Sequence, residues 1–309
     1  MRSIGFQLDP DQAEKKFRRL EHLPVTALGD YLKCPFRFYL KHVLGMEAMD
    51  DLKSEMDALD FGSLAHGALE LLGRDDLRQI EDAGKIATAL VDYVQRQAKK
   101  LFGSSPPLQI TIQLTSLCRR LEQAATVQAA MVSDGWRILE VEIERSITVE
   151  NVVVRGRVDR LDQHRETGKF RIIDYKVGEK AKIPDRIHLG APNERTREYA
   201  LVEEKGKVRC WQDLQLPLYY LLLAADGVKQ DNCEAGYFNL PKAVSETDYL
   251  PMTDLSPTRI LAAECCMQGV LADIGSGRFW PPSPLGGFDE FAPLFFESPG
   301  MLFKEPSDG

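Results

Sequence analysis

The chain has 309 residues, of which 44% are hydrophobic and 28% are charged, a composition typical of one large globular domain or two smaller ones. Its net charge of −8 and its isoelectric point near 5.3 have the wrong sign for bulk attraction to nucleic acid, but they are compatible with a local basic groove. The sequence has no membrane-length apolar run, no signal-peptide pattern and no CxxC pair among its six cysteines, so we expect a cytoplasmic protein without a membrane partner, a disulfide framework or a zinc ribbon.

The first part of the chain is predicted to be helical. Residues 1–24 are polar and are interpreted as a linker, with a short amphipathic helix from Asp9 to Leu20. Apolar residues at helical spacing follow, and Gly62, His66 and Glu70 recur there at intervals of one helical turn. They therefore share one helix face, although a histidine on an apolar helix is by itself more often a core or surface residue than a metal ligand.

The pattern changes to that of β-strands at Trp136. Apolar and acidic residues alternate from Ile138 to Ile147, which predicts a half-buried strand. From Val152 to Val177, two β-rich runs flank the polar turn at residues 164–168. This arrangement predicts a β-hairpin.

Three charged residues of this hairpin are predicted to converge. Asp174 and Lys176 point to one face of the second run because strand side chains alternate, and Asp159 in the first run can face them across the pair. Two carboxylates brought together repel each other and raise each other's pKa unless a cation joins them. A divalent metal ion is the obvious cation, so the hairpin indicates a metal site.

The rest of the chain continues the alternation of strands and helices. Residues 178–209 are rich in charge and are predicted to be a long loop, either a mobile flap over a substrate or an unstructured insertion. Gln215 and Tyr219 lie four residues apart and share a face of the next helix. A strand is then predicted from Cys233 to Leu240 and a helix from Ser256 to Ile274.

Taken in chain order, five motifs resemble those of the PD-(D/E)XK nuclease superfamily, in its RecB/AddB-like branch. They are the helix from Thr26 that runs into Cys34-Pro35 and the aromatic stretch Phe36 to Leu40, Gly62-x-x-x-His66, Gly156-Arg157-Val158-Asp159-Arg160, Ile173-Asp174-Tyr175-Lys176 and Gln215-x-x-x-Tyr219. The resemblance covers residues 25–282 and leaves 283–309 as a tail. It implies an α/β fold in which helices flank a central mixed β-sheet with a restriction-endonuclease-like core. The N-terminal helical region would extend over residues 25–134 and the catalytic sheet core over residues 135–240.

The resemblance also implies the roles of the site residues. Mg²⁺ or Mn²⁺ would be bound by His66, Asp159, Asp174 and the backbone carbonyl of Tyr175. Lys176 would orient the attacking water or stabilise charge on the phosphate. Gln215 would fix either Lys176 or the scissile strand. An upstream glutamate, Glu140 or Glu142, is a further candidate near the metal, with decoration of a solvent-facing surface as the alternative.

Substrate contacts are implied for four residues, which are Arg157, Arg160, Gln215 and Tyr219. For the two arginines, salt bridges to nearby carboxylates are the alternative, and for Tyr219 the alternative is packing. Some relatives hold an iron–sulfur cluster with a cysteine equivalent to Cys34 and three clustered C-terminal cysteines. This chain has only the adjacent pair Cys265 and Cys266 in that region, so we predict no iron–sulfur cluster.

The predicted function is that of a metal-dependent deoxyribonuclease. The resemblance implies hydrolysis of phosphodiester bonds by an exonuclease module of DNA repair or recombination, with DNA as substrate and a helicase as its partner or fused domain. Two alternatives stay open. One is a non-catalytic subunit that binds DNA ends or serves as a scaffold, and the other is a phage-defence nuclease.

Overall fold

A computed structural model describes residues 22–46, residues 55–280 and residue 291. The predicted helix from Asp9 to Leu20 and the tail after residue 283, apart from residue 291, lie outside these residues. The helices are α1 Val25–Lys33, α2 Pro35–Phe38, α3 Ala58–Glu70, α4 Ala83–Phe102, α5 Leu108–Ser133, α6 Pro184–His188, α7 Gln215–Ala224 and α8 Pro257–Gly275. The strands are β1 His22–Pro24, β2 Trp136–Val149, β3 Val152–His164, β4 Phe170–Gly178, β5 Leu189–Gly190, β6 Leu201–Glu204, β7 Lys207–Trp211, β8 Cys233–Pro241 and β9 Asp248–Pro251.

The larger sheet in the described part of the chain has six strands and is mixed. Its order is β1-β3-β4-β8-β9, and β2 pairs with β3 along most of its length. β1 runs parallel to β3 and β4 parallel to β8, whereas the remaining neighbours are antiparallel. The predicted α/β fold with a central mixed sheet is therefore confirmed, and the short strand β1, which the sequence pattern did not predict, joins its edge.

Two apolar cores cover the two faces of this sheet. Successive side chains of β4 point to opposite faces, so Ile172 lies in one core, whereas Ile173 and Tyr175 lie in the other. The first core is completed by α1, α2, α7 and α8, and the second by α3, α4 and α5. The long N-terminal helices thus form one outer layer. Within the described residues, no helix is both long and apolar enough to cross a membrane.

The predicted hairpin is confirmed as the pair β3 and β4. Its register runs from Gln163 opposite Phe170 to Arg160 opposite Ile173. The turn between the strands uses Gly168 at a φ of 69°, a left-handed conformation that glycine adopts without steric cost. The pair of Arg160 and Ile173 ends the ladder, so Asp159 and Asp174 lie where the two strands part.

The segment between β4 and α7 is folded, which differs from the long loop predicted for residues 178–209. It contains α6 and a three-stranded sheet of order β5-β7-β6. Its strands are too short to give a clear alternation in the sequence. Tyr199 anchors the segment to α8, because its hydroxyl lies 2.8 Å from Asp273 Oδ2 and its ring fills the space where a Cβ of Gly269 would stand.

Candidate active site

The centre of the site is the point where β3 and β4 part. Asp159 precedes Arg160 and Asp174 follows Ile173 in the chain, so both aspartates stand just beyond the last pair of the ladder. Both aspartates are buried, with relative exposures of 9% and 2%. The Asp159 carboxylate accepts a hydrogen bond of 2.7 Å from the backbone N–H of Tyr175, in place of the ladder bond that the parted strands no longer make. The hairpin therefore holds two carboxylates at the mouth of a split in the sheet.

A third carboxylate comes from β2. Val141 pairs with Arg160 and Ile143 with Val158, so Glu142 lies at the position across from Asp159. Glu142 has a φ of 54°, in the left-handed region that non-glycine residues avoid at a cost of order 1–3 kcal/mol. The register of β2 also shifts between Ile138 and Glu140, which indicates a β-bulge just before this position. Such local strain is typical of a side chain that is directed to a functional site.

Glu142, and not Glu140, therefore belongs to the site. The sequence named both residues because they share a strand face by alternation. The structure separates them, since Glu140 is exposed and lies 3.8 Å from Arg145 Nη2, whereas Glu142 faces Asp159. The positive φ and the bulge that distinguish them are tertiary features without a signal in the apolar pattern.

His66 reaches the same carboxylates from α3. Its Nδ1 lies 3.7 Å from Asp159 Oδ2, and its ring meets the Tyr175 ring edge-on with 5.8 Å between the centroids. The ligand atoms of His66, Glu142 and Asp159 all lie within 4.8 Å of one another. Asp174 stands beside this trio and interacts with it through its charge.

The electrostatics of this cluster suit a cation. Burial and the charge of Asp174 raise the pKa of Asp159 well above its ordinary value. Burial also raises the pKa of Glu142, although its ion pair with Arg157 opposes the shift. Burial lowers the pKa of His66, which favours the neutral imidazole that can bind a metal. Two carboxylate oxygens and one imidazole nitrogen are a donor set that fits Mg²⁺ or, better because of the nitrogen, Mn²⁺.

Lys176 stands on the other side of Asp174. Its Nζ lies 2.6 Å from Asp174 Oδ2 and donates a hydrogen bond of 2.9 Å to Gln215 Oε1. The ring of Tyr237 lies 4.8 Å away and adds a cation–π contact. Burial opposes the charge, but the Asp174 carboxylate outweighs it and raises the pKa of Lys176. The ammonium is therefore charged at neutral pH.

The helix α7 brings Gln215 and Tyr219 to this ammonium. Gln215 is the first residue of α7, where its backbone N–H donates to Asp213 Oδ1 at 2.8 Å, and its side chain donates to the Tyr219 hydroxyl at 2.8 Å. A close approach of α7 to β3 is possible because residue 156 is glycine. A Cβ there would stand 2.3 Å from Leu222 Cδ1 and 3.2 Å from Tyr219 Cε1. Packing thus aligns Asp174, Lys176, Gln215 and Tyr219 in one row.

The four residues predicted to contact substrate differ in accessibility. Arg157 is exposed at the site and forms an ion pair with Glu142. Arg160 is 1% exposed and donates two hydrogen bonds of 2.6 Å to the carboxylate of Asp162. Tyr219 is 4% exposed, and Gln215 is 7% exposed. The burial of Arg160 and Tyr219 favours the alternatives of a salt bridge and of packing, because their polar groups are engaged inside the fold.

The trio opens into a cleft of about 580 Å³. Its walls include His66, Glu142, Asp159 and Arg157. Leu59 and Gly62 on α3 are also part of the wall. A Cβ added at Gly62 would meet no atom within 4 Å. This opening gives an extended substrate room to approach the carboxylates.

The cysteines considered for an iron–sulfur cluster lie in the helical part of the fold, with Cys34 between α1 and α2 and the pair Cys265 and Cys266 in α8. Cys34 is 1% exposed, and Arg37 Nη1 lies 3.2 Å from its Sγ. Cys266 is buried in α8, whereas its neighbour Cys265 is exposed. The two C-terminal cysteines thus have different surroundings, and the expectation that no iron–sulfur cluster is bound stays a prediction.

Comparison with known proteins connects this geometry to a family. The sequence profile described as the PD-(D/E)XK nuclease superfamily matches residues 22–284. This range contains all the residues of the trio, the Asp174–Lys176 pair and Gln215.

Three relatives are bacterial proteins that are each named as a subunit of an ATP-dependent helicase/deoxyribonuclease. The relative from Lactococcus lactis is 24% identical over 55% of this chain and 16% of its own length. The one from Carboxydothermus hydrogenoformans is 25% identical over 62% of this chain and 19% of its own length, and the one from Clostridium perfringens is 28% identical over 54% and 16%. The chain therefore matches less than a fifth of the length of these relatives.

A solved structure shares the fold. A protein from Eubacterium rectale that is named a putative exonuclease superposes with a TM-score of 0.50 at 13% identity, covering 98% of this chain and 97% of that protein. The likeness extends over the whole chain and supports the α/β architecture.

Proposed function

Because the chain belongs to the PD-(D/E)XK nuclease superfamily, we propose that it is a DNA nuclease that hydrolyses phosphodiester bonds with Mg²⁺ or Mn²⁺. The observation that carries the proposal is the trio of His66, Glu142 and Asp159, whose ligand atoms lie within 4.8 Å of one another beside the Asp174–Lys176 pair. A metal ion there would activate water and the charged lysine would stabilise negative charge on the phosphate, two contributions that promote phosphodiester hydrolysis.

Five residues are proposed to hold the ion, namely His66, Glu142, Asp159, Asp174 and Tyr175 through its backbone carbonyl. A divalent ion bound there lowers the pKa of water and stabilises negative charge on the phosphate. The N–H and C=O of one strand residue point to the same side, and the N–H of Tyr175 is directed to Asp159. Its carbonyl is therefore directed to the same opening.

Lys176 is proposed to stabilise the negative charge that develops on the phosphate. An ammonium has three N–H donors. Gln215 Oε1 accepts a hydrogen bond from one of them, and Asp174 Oδ2 lies 2.6 Å from Nζ as its ion-pair partner, so a donor is left for a phosphate oxygen. Because these two partners hold the ammonium in place before substrate binds, little reorganisation is needed when the charge appears. Arg157 is proposed to contact a flanking phosphate from the rim of the cleft.

A helicase is proposed as partner. The relatives are named as helicase/deoxyribonuclease subunits, and this chain matches a segment of less than a fifth of their length. A helicase would also supply the DNA affinity that a chain with a net charge of −8 lacks in bulk. Within such a complex the nuclease would act as the exonuclease module of DNA repair or recombination.

Cleavage of linear DNA tests the proposal. The 309-residue chain is incubated with single-stranded and double-stranded DNA in Mg²⁺ or Mn²⁺, alongside Asp174→Ala and a matched control, Asp231→Ala, at an exposed aspartate just before β8, whose first residue pairs with Phe170 at the turn end of the hairpin. We expect metal-dependent cleavage by the chain and by the control, and its loss in Asp174→Ala. If the chain neither cleaves DNA nor binds either ion in calorimetry, the nuclease proposal fails and a non-catalytic DNA-binding subunit takes its place.

A further inference from the structure

Lys182 is clamped next to the catalytic lysine by a buried asparagine. Its backbone N–H donates to Asn239 Oδ1 at 2.7 Å, and the Asn239 amide donates back to the Lys182 carbonyl at 3.1 Å. Asn239 has no exposed surface and lies directly across from Lys176 in the parallel pair of β4 and β8. In-register residues of neighbouring strands share a face. The clamp therefore fixes the backbone of Lys182 over the side of the sheet that carries Lys176.

The side chain of Lys182 is exposed, and its ammonium has no ion-pair partner among residues 22–46, 55–280 and 291. The same holds for Lys33, the last residue of α1. Partial burial and the charges of Lys176 and Lys33 lower the pKa of Lys182, while Asp174 and Asp213 oppose that shift without cancelling it. We call Lys33, Lys176 and Lys182 the lysine cluster: the charges of Lys33 and Lys176 act on Lys182, and Lys176 is paired with Asp174, whereas Lys33 and Lys182 have no ion-pair partner among the described residues.

Lys176 has Asp174 as its ion-pair partner, whereas Lys182 and Lys33 add like charges that a further anion would stabilise. The proposed substrate carries one negative charge per nucleotide, so a bound strand presents phosphates on both sides of the scissile one. Arg157 lines the cleft, whereas the backbone of Lys182 is held by Asn239, which pairs with Lys176 two residues beyond Asp174.

We propose that Lys182 binds a phosphate of the substrate strand next to the scissile phosphate, and that Asn239 is the positioning residue that holds it there. This inference rests on the proposed nuclease function and extends it with a specific contact. The strand would pass from Arg157 across Asp159 and Asp174 to the lysine cluster. Lys33 adds a weaker, more distant charge at that end of the path.

Steady-state cleavage of single-stranded DNA by the 309-residue chain tests the contact. We expect Lys182→Gln to raise KM about tenfold with kcat little changed, because a lost charge-assisted phosphate contact weakens binding by about that factor. Lys182→Arg keeps the charge and should retain most of the affinity. Lys229→Gln is the matched control, since Lys229 is also exposed but precedes β8 at the other end of the sheet.

The salt dependence of DNA binding gives a readout that activity does not affect. Anisotropy of a labelled single strand in EDTA measures the slope of log Kd against log salt concentration. Each lost phosphate contact lowers the size of this slope by about 0.7 for single strands. We expect Lys182→Gln to show this change and Lys182→Arg and Lys229→Gln to keep the wild-type slope.

Asn239→Ala tests the positioning role. If the clamp acts through Lys182, this variant should raise KM in the wild-type background but add little to Lys182→Gln, because both changes remove one contact. A purely structural role of Asn239 would instead lower kcat and stability equally in both backgrounds. Cleavage by the wild type with the same KM and salt slope in Lys182→Gln would overturn this inference and leave the nuclease proposal intact. No cleavage and no DNA binding by the wild type would overturn both.

Discussion

The Asp159 carboxylate accepts a 2.7 Å hydrogen bond from the backbone N–H of Tyr175, the residue between Asp174 and Lys176. This bond links the two strands where their ladder has ended, so the side chain of β3 and the backbone of β4 have a fixed relative position. His66 contacts both residues, with its Nδ1 3.7 Å from Asp159 Oδ2 and its ring edge-on to the Tyr175 ring at 5.8 Å between the centroids. The proposed metal ligand Asp159 is therefore tied to the strand segment that carries Lys176.

Lys176→Met and Asp159→Asn should separate phosphate activation from metal binding. Lys176→Met removes the charged donor, so we expect cleavage to fall about 10²–10³-fold while Mn²⁺ affinity changes little. Asp159→Asn removes a proposed ligand and should weaken Mn²⁺ binding together with cleavage. Calorimetry and cleavage rates measured on the same samples check the split. Equal loss of Mn²⁺ affinity in both variants would contradict the assigned roles.

The backbone conformation of Glu142 is expected to lower the stability of the fold, while its carboxylate contributes to metal binding. Its φ of 54° disfavours any side chain with a Cβ. Glu142→Gly should therefore be more stable to urea than Glu142→Ala by about 1 kcal/mol, because glycine adopts this conformation without the steric cost. Both variants should bind Mn²⁺ more weakly than the wild type. An alanine variant as stable as the glycine variant would show that the positive φ carries no strain.

His188 is expected to make the fold sensitive to acid. Burial lowers its pKa, and the ring is held between the Asp213 carbonyl at 2.8 Å and the Tyr237 hydroxyl at 2.9 Å. Below about pH 6.5, the ordinary pKa of histidine, the unfolded chain takes up a proton that the folded chain refuses. The stability that His188 contributes is present above that pH and is lost below it, at up to about 1.4 kcal/mol per pH unit.

Urea unfolding between pH 7 and pH 5 checks this sign. The free energy of unfolding should fall more steeply with decreasing pH in the wild type than in His188→Gln, which has no titratable group there. Asp159 and Glu142, whose pKa values are raised, act with the opposite sign, but they do so equally in both proteins. Parallel pH profiles for the two proteins would contradict the prediction.

Gly156→Ala should damage the site through packing. The new Cβ would stand 2.3 Å from Leu222 Cδ1, so α7 must shift away from β3, and we expect a loss of about 1–3 kcal/mol in the free energy of unfolding. Cleavage should fall as well, since Gln215 on the same helix holds Lys176. Gly62→Ala on α3 is the control for stability, because its added Cβ would meet no neighbouring atom within 4 Å. It should raise the free energy of unfolding by about 0.5–1 kcal/mol.

The hairpin was predictable because its signals are local. Alternation over a few residues and a glycine-containing turn sufficed to predict β3 and β4, and the mixed sheet flanked by helices followed from the family resemblance. The segment from residue 178 to residue 209 was not predictable in this way. Its short strands form only because β7 pairs with β5 and β6, and because Tyr199 packs against α8.

The sequence by itself determined which chemical groups are present and which neighbours share a face: the aspartate and lysine two residues apart on β4, and the glutamine and tyrosine one turn apart on α7. These relations depend only on the periods of a strand and a helix. The tertiary structure alone decided that Glu142 faces Asp159 while Glu140 faces solvent, because a bulge and a positive φ redirect β2. It also decided that Arg160 is an internal residue, since Asp162 and Gln128, 32 residues away, bind its guanidinium inside the fold. Burial of a charge depends on the partners that packing brings to it, and no local spacing in the sequence encodes that contact.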